Sequence, residues 1–462
     1  MVSENLLYER KNGFLGIDEK LKNKIDDFCE EYKNALDMGK TEREFCSMSV
    51  QLLENAGFKN IEGMTTLSAG DKVFAVNRGK SVVAFVIGKH PITDGVNIVG
   101  AHIDSPRLDL KPWPLFEDSG IAFLKTHYYG GIRKYQWYNI PLALHGVVVK
   151  KDGTAINIVI GEDENDPIFC ISDLLPHLAS KYSAQKLSEA FDAEKLNVIA
   201  GNIPFDDADK EKVKYGIMKL ISEKYGVTET DFMSSELELV PAFKARDLGF
   251  DRSMIAGYGH DDRVCAYTAL RAIIDATAPQ KTAVCLLVDK EEVGSMGNTG
   301  MQSRHFENIL AKVCSLCDAS YNELVLRECL SNSECLSADV GGAFDPNFPE
   351  VFEKNNSAYI NQGLILTKYT GARGKSGSSD ASAEFVAKIR NIFEENDVLW
   401  QTGELGRVDI GGGGTIAQFV ANLDVDVIDC GVPLLGMHSP NEVAGKFDVY
   451  MAYKGYKAFM NS

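Results

Sequence analysis

Val288-Asp289-Lys290-Glu291-Glu292-Val293-Gly294 closes an apolar run over residues 283–288. Such a run reads as a buried strand, and two carboxylates at its exit are a costly place for charge. Neighbouring side chains on extended backbone leave on opposite sides. One carboxylate can therefore hold a metal while the other stays free. An isolated Glu-Glu pair is ordinarily a solvated acidic turn, so the rest of the chain has to decide.

Outward from this stretch the chain alternates between strand and helix patterns. Leu21, Ile25, Phe28, Tyr32 and Leu36 recur at helical spacing, and Thr41 with Glu44 predicts a capping box for a second helix. Residues 73–76 and 82–87 predict a hairpin, and residues 98–101 a short buried strand that delivers His102. Residues 335–338 lead into Asp339, and further strands and helices run to the last amphipathic helix through Phe447 and Tyr453. Between them, residues 109–242 change texture, with the runs 142–149 and 155–160 reading as antiparallel strands. The expectation is an α/β fold, a mostly parallel sheet with helices on both faces, interrupted by a β-rich inserted domain. Residues 1–108 and 243–462 form the catalytic domain and 109–242 the insert. Ligands of such sheets bind outside the carboxyl ends of the strands. His102, Glu291, Glu292 and Asp339 all lie where predicted strands end.

With 462 residues and 45% hydrophobic composition the chain can bury a sizeable core. Lys+Arg 48 against Asp+Glu 66 gives −18, which argues against a nucleic-acid or anionic-membrane partner. Residues 1–13 carry charges throughout and lack a signal-peptide core, and no stretch reaches the length of a membrane span. Ten scattered cysteines fit reduced thiols and a cytoplasmic location. Cys314 and Cys317 form a C-x-x-C inside a helical pattern, with no second pair at zinc-ribbon spacing, and read as core cysteines.

Collected at the strand ends and beside them are His102, Asp104, Asp261, Glu291, Glu292, Asp339 and His438. Two His and three carboxylates, one of them bridging, suit two zinc ions about 3.5–4 Å apart. His90 and His305 receive no role.

Gly100-Ala101-His102-Ile103-Asp104-Ser105-Pro106-Arg107-Leu108, His260-Asp261-Asp262-Arg263, Asp289-Lys290-Glu291-Glu292-Val293-Gly294-Ser295, Ser337-Ala338-Asp339 and Met437-His438-Ser439 resemble, in order, the motifs of the aspartyl aminopeptidase and vacuolar aminopeptidase I family of di-zinc exopeptidases. The resemblance spans essentially the whole chain. It implies a bridging Asp261 followed by a cis peptide bond, His102 and Asp339 on one metal, and Glu292 and His438 on the other. Glu291 would be the general base and acid, and Asp104 the carboxylate that receives the His102 N–H. A hydroxide between two divalent ions, zinc first and manganese or cobalt as options, would attack the first peptide bond. The resemblance further implies a homo-oligomer, a tetrahedral dodecamer of dimers built by the inserted domain, with His177 a candidate group supplied across subunits or else an interface histidine.

Two stretches leave alternatives open. Residues 411–415, around Gly413, lack the Lys-Ser/Thr of a phosphate loop and are either a close backbone approach to bound peptide or a plain glycine turn. Lys375, in the basic loop 371–377, either selects Asp or Glu as the first residue or belongs to a solvated connection. Rival functions are a di-zinc carboxypeptidase or amide deacylase and, outside enzymes, an oligomeric protein with structural metals.

Overall fold

The computed structural model describes residues 6–462. The reading of residues 1–13 therefore falls partly outside the described residues. By contact density the chain divides into two compact units, one of residues 6–104, 245–437 and 441–462, the other of residues 105–244 and 438–440. The second unit begins four residues before the expected span 109–242, ends two residues after it, and takes in a three-residue piece from near the C-terminus.

The larger unit is built on a nine-stranded sheet. Its centre is parallel: Thr282–Val288 pairs with Val96–His102, which pairs with Glu334–Ser337, which pairs with Asp426–Gly431. The flanks are mixed. Lys72–Asn77 and Ser81–Val86 form the predicted hairpin, and a tight connection through Arg78 (φ 53°) and Gly79 (φ 68°) permits only antiparallel pairing. That hairpin joins the centre antiparallel to Thr282–Val288, and Leu364–Thr367 joins the other side antiparallel to Asp426–Gly431.

Every residue of Thr282–Val288 is buried, because both faces of the strand are covered. Ala283, Cys285 and Leu287 belong to one apolar cluster, together with residues of the helices Glu19–Met38, Glu42–Asn55, His260–Ile274, Ala383–Glu395 and Lys446–Met460. Val284, Leu286 and Val288 belong to another, with His305–Cys317, Glu323–Ser331 and Ala417–Ala421. Burying each such aliphatic side chain is worth about 1.5–3 kcal/mol, enough to fix the strand's position between the layers. The predicted capping box at Thr41 and Glu44 is present, with both reciprocal bonds made. A further sheet of the short strands Arg246–Leu248, Met254–Gly257, Glu442–Gly445, Pro433–Leu435 and Gly341–Gly342 was not predicted. Two to four residues carry too little alternation to read.

The smaller unit is a six-stranded sheet in the order Ala155–Ile160, Leu142–Val149, Ser235–Pro241, Arg107–Asp118, Ile121–Tyr129, Asn197–Gly201. All its pairings are antiparallel. The helix Lys212–Tyr225 ends at Gly226, whose φ of 63° suits a residue without Cβ. Among the described residues no helix is long and apolar enough to cross a membrane. The ten cysteines are free thiols, with Cys314 in the core.

Candidate active site

Parallel register brings the chemistry together. Val288 stands opposite His102, and Ser337 opposite Gly100, so the chain beyond each strand end emerges at the same edge. His102 Nε2 lies 3.2 Å from Asp261 Oδ1, 3.9 Å from Glu291 Oε2 and 4.0 Å from Asp339 Oδ1. Ligand atoms of His102, Asp261 and Glu292 lie within 4.8 Å of one another, as do those of His102, Asp262 and Asp339. The peptide bond between Asp261 and Asp262 is cis.

Glu291 and Glu292 do not continue the strand as extended backbone. They open a 3-10 turn, Glu291–Val293, entered through Lys290 (φ 66°) and left through Gly294 (φ 93°). Successive side chains of such a turn diverge by about a third of a revolution, so the two carboxylates still part company, by turn geometry instead of strand alternation.

Asp104 has more partners than expected. The carbonyl of Asp104 lies 3.0 Å from His102 Nδ1, closer than its own Oδ1 at 3.3 Å, so the backbone is the nearer acceptor for the imidazole N–H. The carboxylate accepts the backbone N–H of Glu291 at 3.1 Å and that of Glu292 at 3.3 Å. A donating Nδ1–H leaves the His102 Nε2 lone pair facing the carboxylates. Asp262, to which no role was given, accepts the His102 backbone N–H on Oδ2 at 3.3 Å. Only its adjacency to Asp261 signalled it in the sequence.

The charge is one-sided. Burial, then the neighbouring charges of Asp262, Glu291 and Asp261 push the Asp339 carboxyl well above its ordinary range, against the pull of His102. Asp262 is raised too, by burial first, and its Oδ1 is buried with no hydrogen-bond partner among the described residues. Burial would lower the His102 imidazolium, but Asp104 and Asp261 outweigh it and hold it well above the usual value. Six carboxylates around one imidazole, with an orphaned buried oxygen, fit divalent cations. Carboxylate oxygen and imidazole nitrogen accept zinc, manganese or cobalt.

The other expected residues have the following surroundings. His438 belongs to the smaller unit, where its Nδ1 is 2.8 Å from the carbonyl of Gly131. His177 is exposed, in the turn Pro176–Leu178 of that unit. Lys375 is engaged, its Nζ 2.7 Å from Asp380 Oδ2 and 3.8 Å from the centre of the Tyr369 ring. The Gly413 carbonyl accepts the Gly371 N–H at 2.6 Å, tying the two glycine-containing loops together.

The family model described as aminopeptidase I zinc metalloprotease (M18) matches residues 36–460. The chain belongs to this M18 family. It is 53% identical to the probable M18 family aminopeptidase 1 of Clostridium acetobutylicum, over 99% of both chains. Among solved structures, an M18 aminopeptidase from Thermotoga maritima superposes with a TM-score of 0.95 at 46% identity, over 98% of this chain and 100% of that one. Aminopeptidase I from Clostridium acetobutylicum superposes with a TM-score of 0.93 at 50% identity, over 99% and 100%.

Proposed function

We propose that this M18 chain is a metal-dependent aminopeptidase that removes the first residue of peptides, with Glu291 as general base and acid. What supports the reading most is one juxtaposition: the Glu291 carboxylate faces His102 Nε2 at 3.9 Å beside Asp261 and Asp339, while its own backbone is held by Asp104. His102, Asp261 and Asp339 would hold one ion and Glu292 would help hold a second. The family resemblance assigns His438 to that second ion. When bound, such ions lower the pKa of water toward about 7 and polarise the scissile carbonyl.

The chain's own groups do the rest. Glu291 takes a proton from the attacking water at a carboxylate oxygen and returns it to the leaving nitrogen, a role worth about 10²- to 10⁴-fold. Asp104 keeps that carboxylate in place through the Glu291 amide. His102 is oriented by its Nδ1 contact, so Nε2 cannot swing away. Lys375 accepts an acidic first residue by exchanging Asp380 for the substrate carboxylate. Supporting a cytoplasmic homo-oligomer, a dodecamer of dimers by family resemblance, are the ten free thiols and the exposed Leu174, Leu175, Leu178 and Leu187 of the smaller unit.

Glu291→Gln and Glu292→Gln separate the roles. Glu291→Gln should keep its metal, by mass spectrometry, and its KM, while kcat falls about 10²- to 10⁴-fold. Glu292→Gln should lose metal and recover partly when metal is added. Metal loss in Glu291→Gln, or near-normal turnover, would refute the assignment.

A further inference from the structure

The glycines of residues 411–414 do not all serve the same purpose. A Cβ on Gly411 would overlap the carbonyl of Leu405, and one on Gly412, whose φ is 119°, would overlap that of Gly371. Those two are required by the fold. Gly413 and Gly414 are not: neither has a positive φ, and a Cβ would make ordinary contacts, with Leu405 Cδ2 at 3.5 Å from Gly413 and with Gln418 Nε2 at 3.4 Å and the Gly377 carbonyl at 3.5 Å from Gly414. The fold would therefore tolerate a Cβ at either position. The N–H groups of Gly413, Gly414 and Thr415 also have no acceptor among the described residues.

This open edge is held firmly. Gly413 is tied through its carbonyl to Gly371. Thr415 Oγ1 donates to Asp429 Oδ1 at 2.7 Å and accepts the Ala417 N–H at 3.2 Å. Asp429 is only 4% exposed, in the strand Asp426–Gly431. A buried carboxylate facing the hydroxyls of Thr415 and Ser337 is an expensive anchor for a plain connection. Its position relates the loop to the cluster: Asp429 stands opposite Ser337, and Ser337 opposite Gly100. Gly100 is one side-chain repeat, about 7 Å, short of His102 along its strand. Ile416, next to Thr415, packs over Gly100, its Cδ1 3.0 Å from where a Cβ would stand.

We propose that the open backbone edge of Gly413, Gly414 and Thr415 receives the main chain of the peptide substrate beyond its first residue, and that Asp429, through Thr415, is the positioning residue that holds this edge. Extended peptide backbone offers carbonyl oxygens to unpaired N–H groups and lies close only where side chains are absent. A substrate with one residue and a small leaving group gains nothing from it.

The inference rests on the aminopeptidase reading, and the test keeps the two apart. kcat/KM is measured for a tetrapeptide and for the aminoacyl amide of the same first residue, in Gly413→Ala, Gly414→Ala, Thr415→Val, Thr415→Ser and Asp429→Asn, with a melting curve for each. In Gly413→Ala, Gly414→Ala and Thr415→Val the ratio of tetrapeptide to amide should fall about tenfold, the worth of one to two hydrogen bonds, and through KM. Thr415→Ser should restore the ratio. A constant ratio in folded Gly413→Ala and Gly414→Ala would overturn the proposal, as would equal ratios in Thr415→Val and Thr415→Ser. Wild-type protein that hydrolyses neither compound would remove the aminopeptidase reading and this inference with it.

Discussion

Asp104 shows what a residue pattern carries and what it omits. Its place two residues beyond His102 marked it as a partner of the imidazole, a short-range relation that spacing can express. That its carboxylate also accepts the amides of Glu291 and Glu292 is a contact across 187 and 188 positions, which depends on the pairing of two strands. Lys375 shows the opposite case. The basic loop read either as a selector of acidic first residues or as a solvated connection, and Asp380, five residues on, pairs with Lys375. Both groups are about half exposed, so the pair is worth no more than about 1 kcal/mol and exchange is cheap. Asp380→Asn should therefore raise kcat/KM for Asp and Glu first residues relative to Leu by a few-fold, and Lys375→Ala should lower it. Variants that shift acidic and Leu substrates equally would take this loop out of specificity.

At the scale of elements, those with long periodic patterns were legible. The capped helix Glu42–Asn55, the hairpin from Lys72 to Val86 and the buried strand Thr282–Val288 each repeat a signal over several residues. The short-stranded sheet was not legible, since its strands are defined by their neighbours. The turn Glu291–Val293 was misjudged because a run of apolar residues does not say where extension stops; Lys290 in a left-handed conformation stops it. The smaller unit poses a question of its own. Leu174, Leu175, Leu178, Tyr182 and Leu187 are each at least 40% exposed within a stretch of short turns, more apolar surface than an isolated sheet edge needs. The proposed homo-oligomer would bury it. Light scattering should give several times 50.7 kDa, and Leu178→Asp should lower the mass. A 50.7 kDa wild-type particle at working concentration would contradict the proposal.

For the whole molecule, strand ends were enough to name most of the cluster, because an α/β sheet with parallel centre gathers at one edge whatever follows its strands. His102, Glu291, Glu292 and Asp339 come from three such ends, and Asp261 from the start of a helix packed on the same sheet. What order along the chain could not give was the full concentration of negative charge: Asp262 joins the cluster, and its charge, after burial, raises the Asp339 carboxyl. That concentration of carboxylates is the physical case for bound cations. The most direct measurement is mass spectrometry of the products from one peptide, offered with a free and with an acetylated N-terminus, before and after a chelator. The account predicts stepwise loss of first residues from the free peptide alone, abolished by chelation and restored by zinc, manganese or cobalt; loss from the carboxyl end, cleavage of the acetylated peptide, or indifference to the chelator would contradict it.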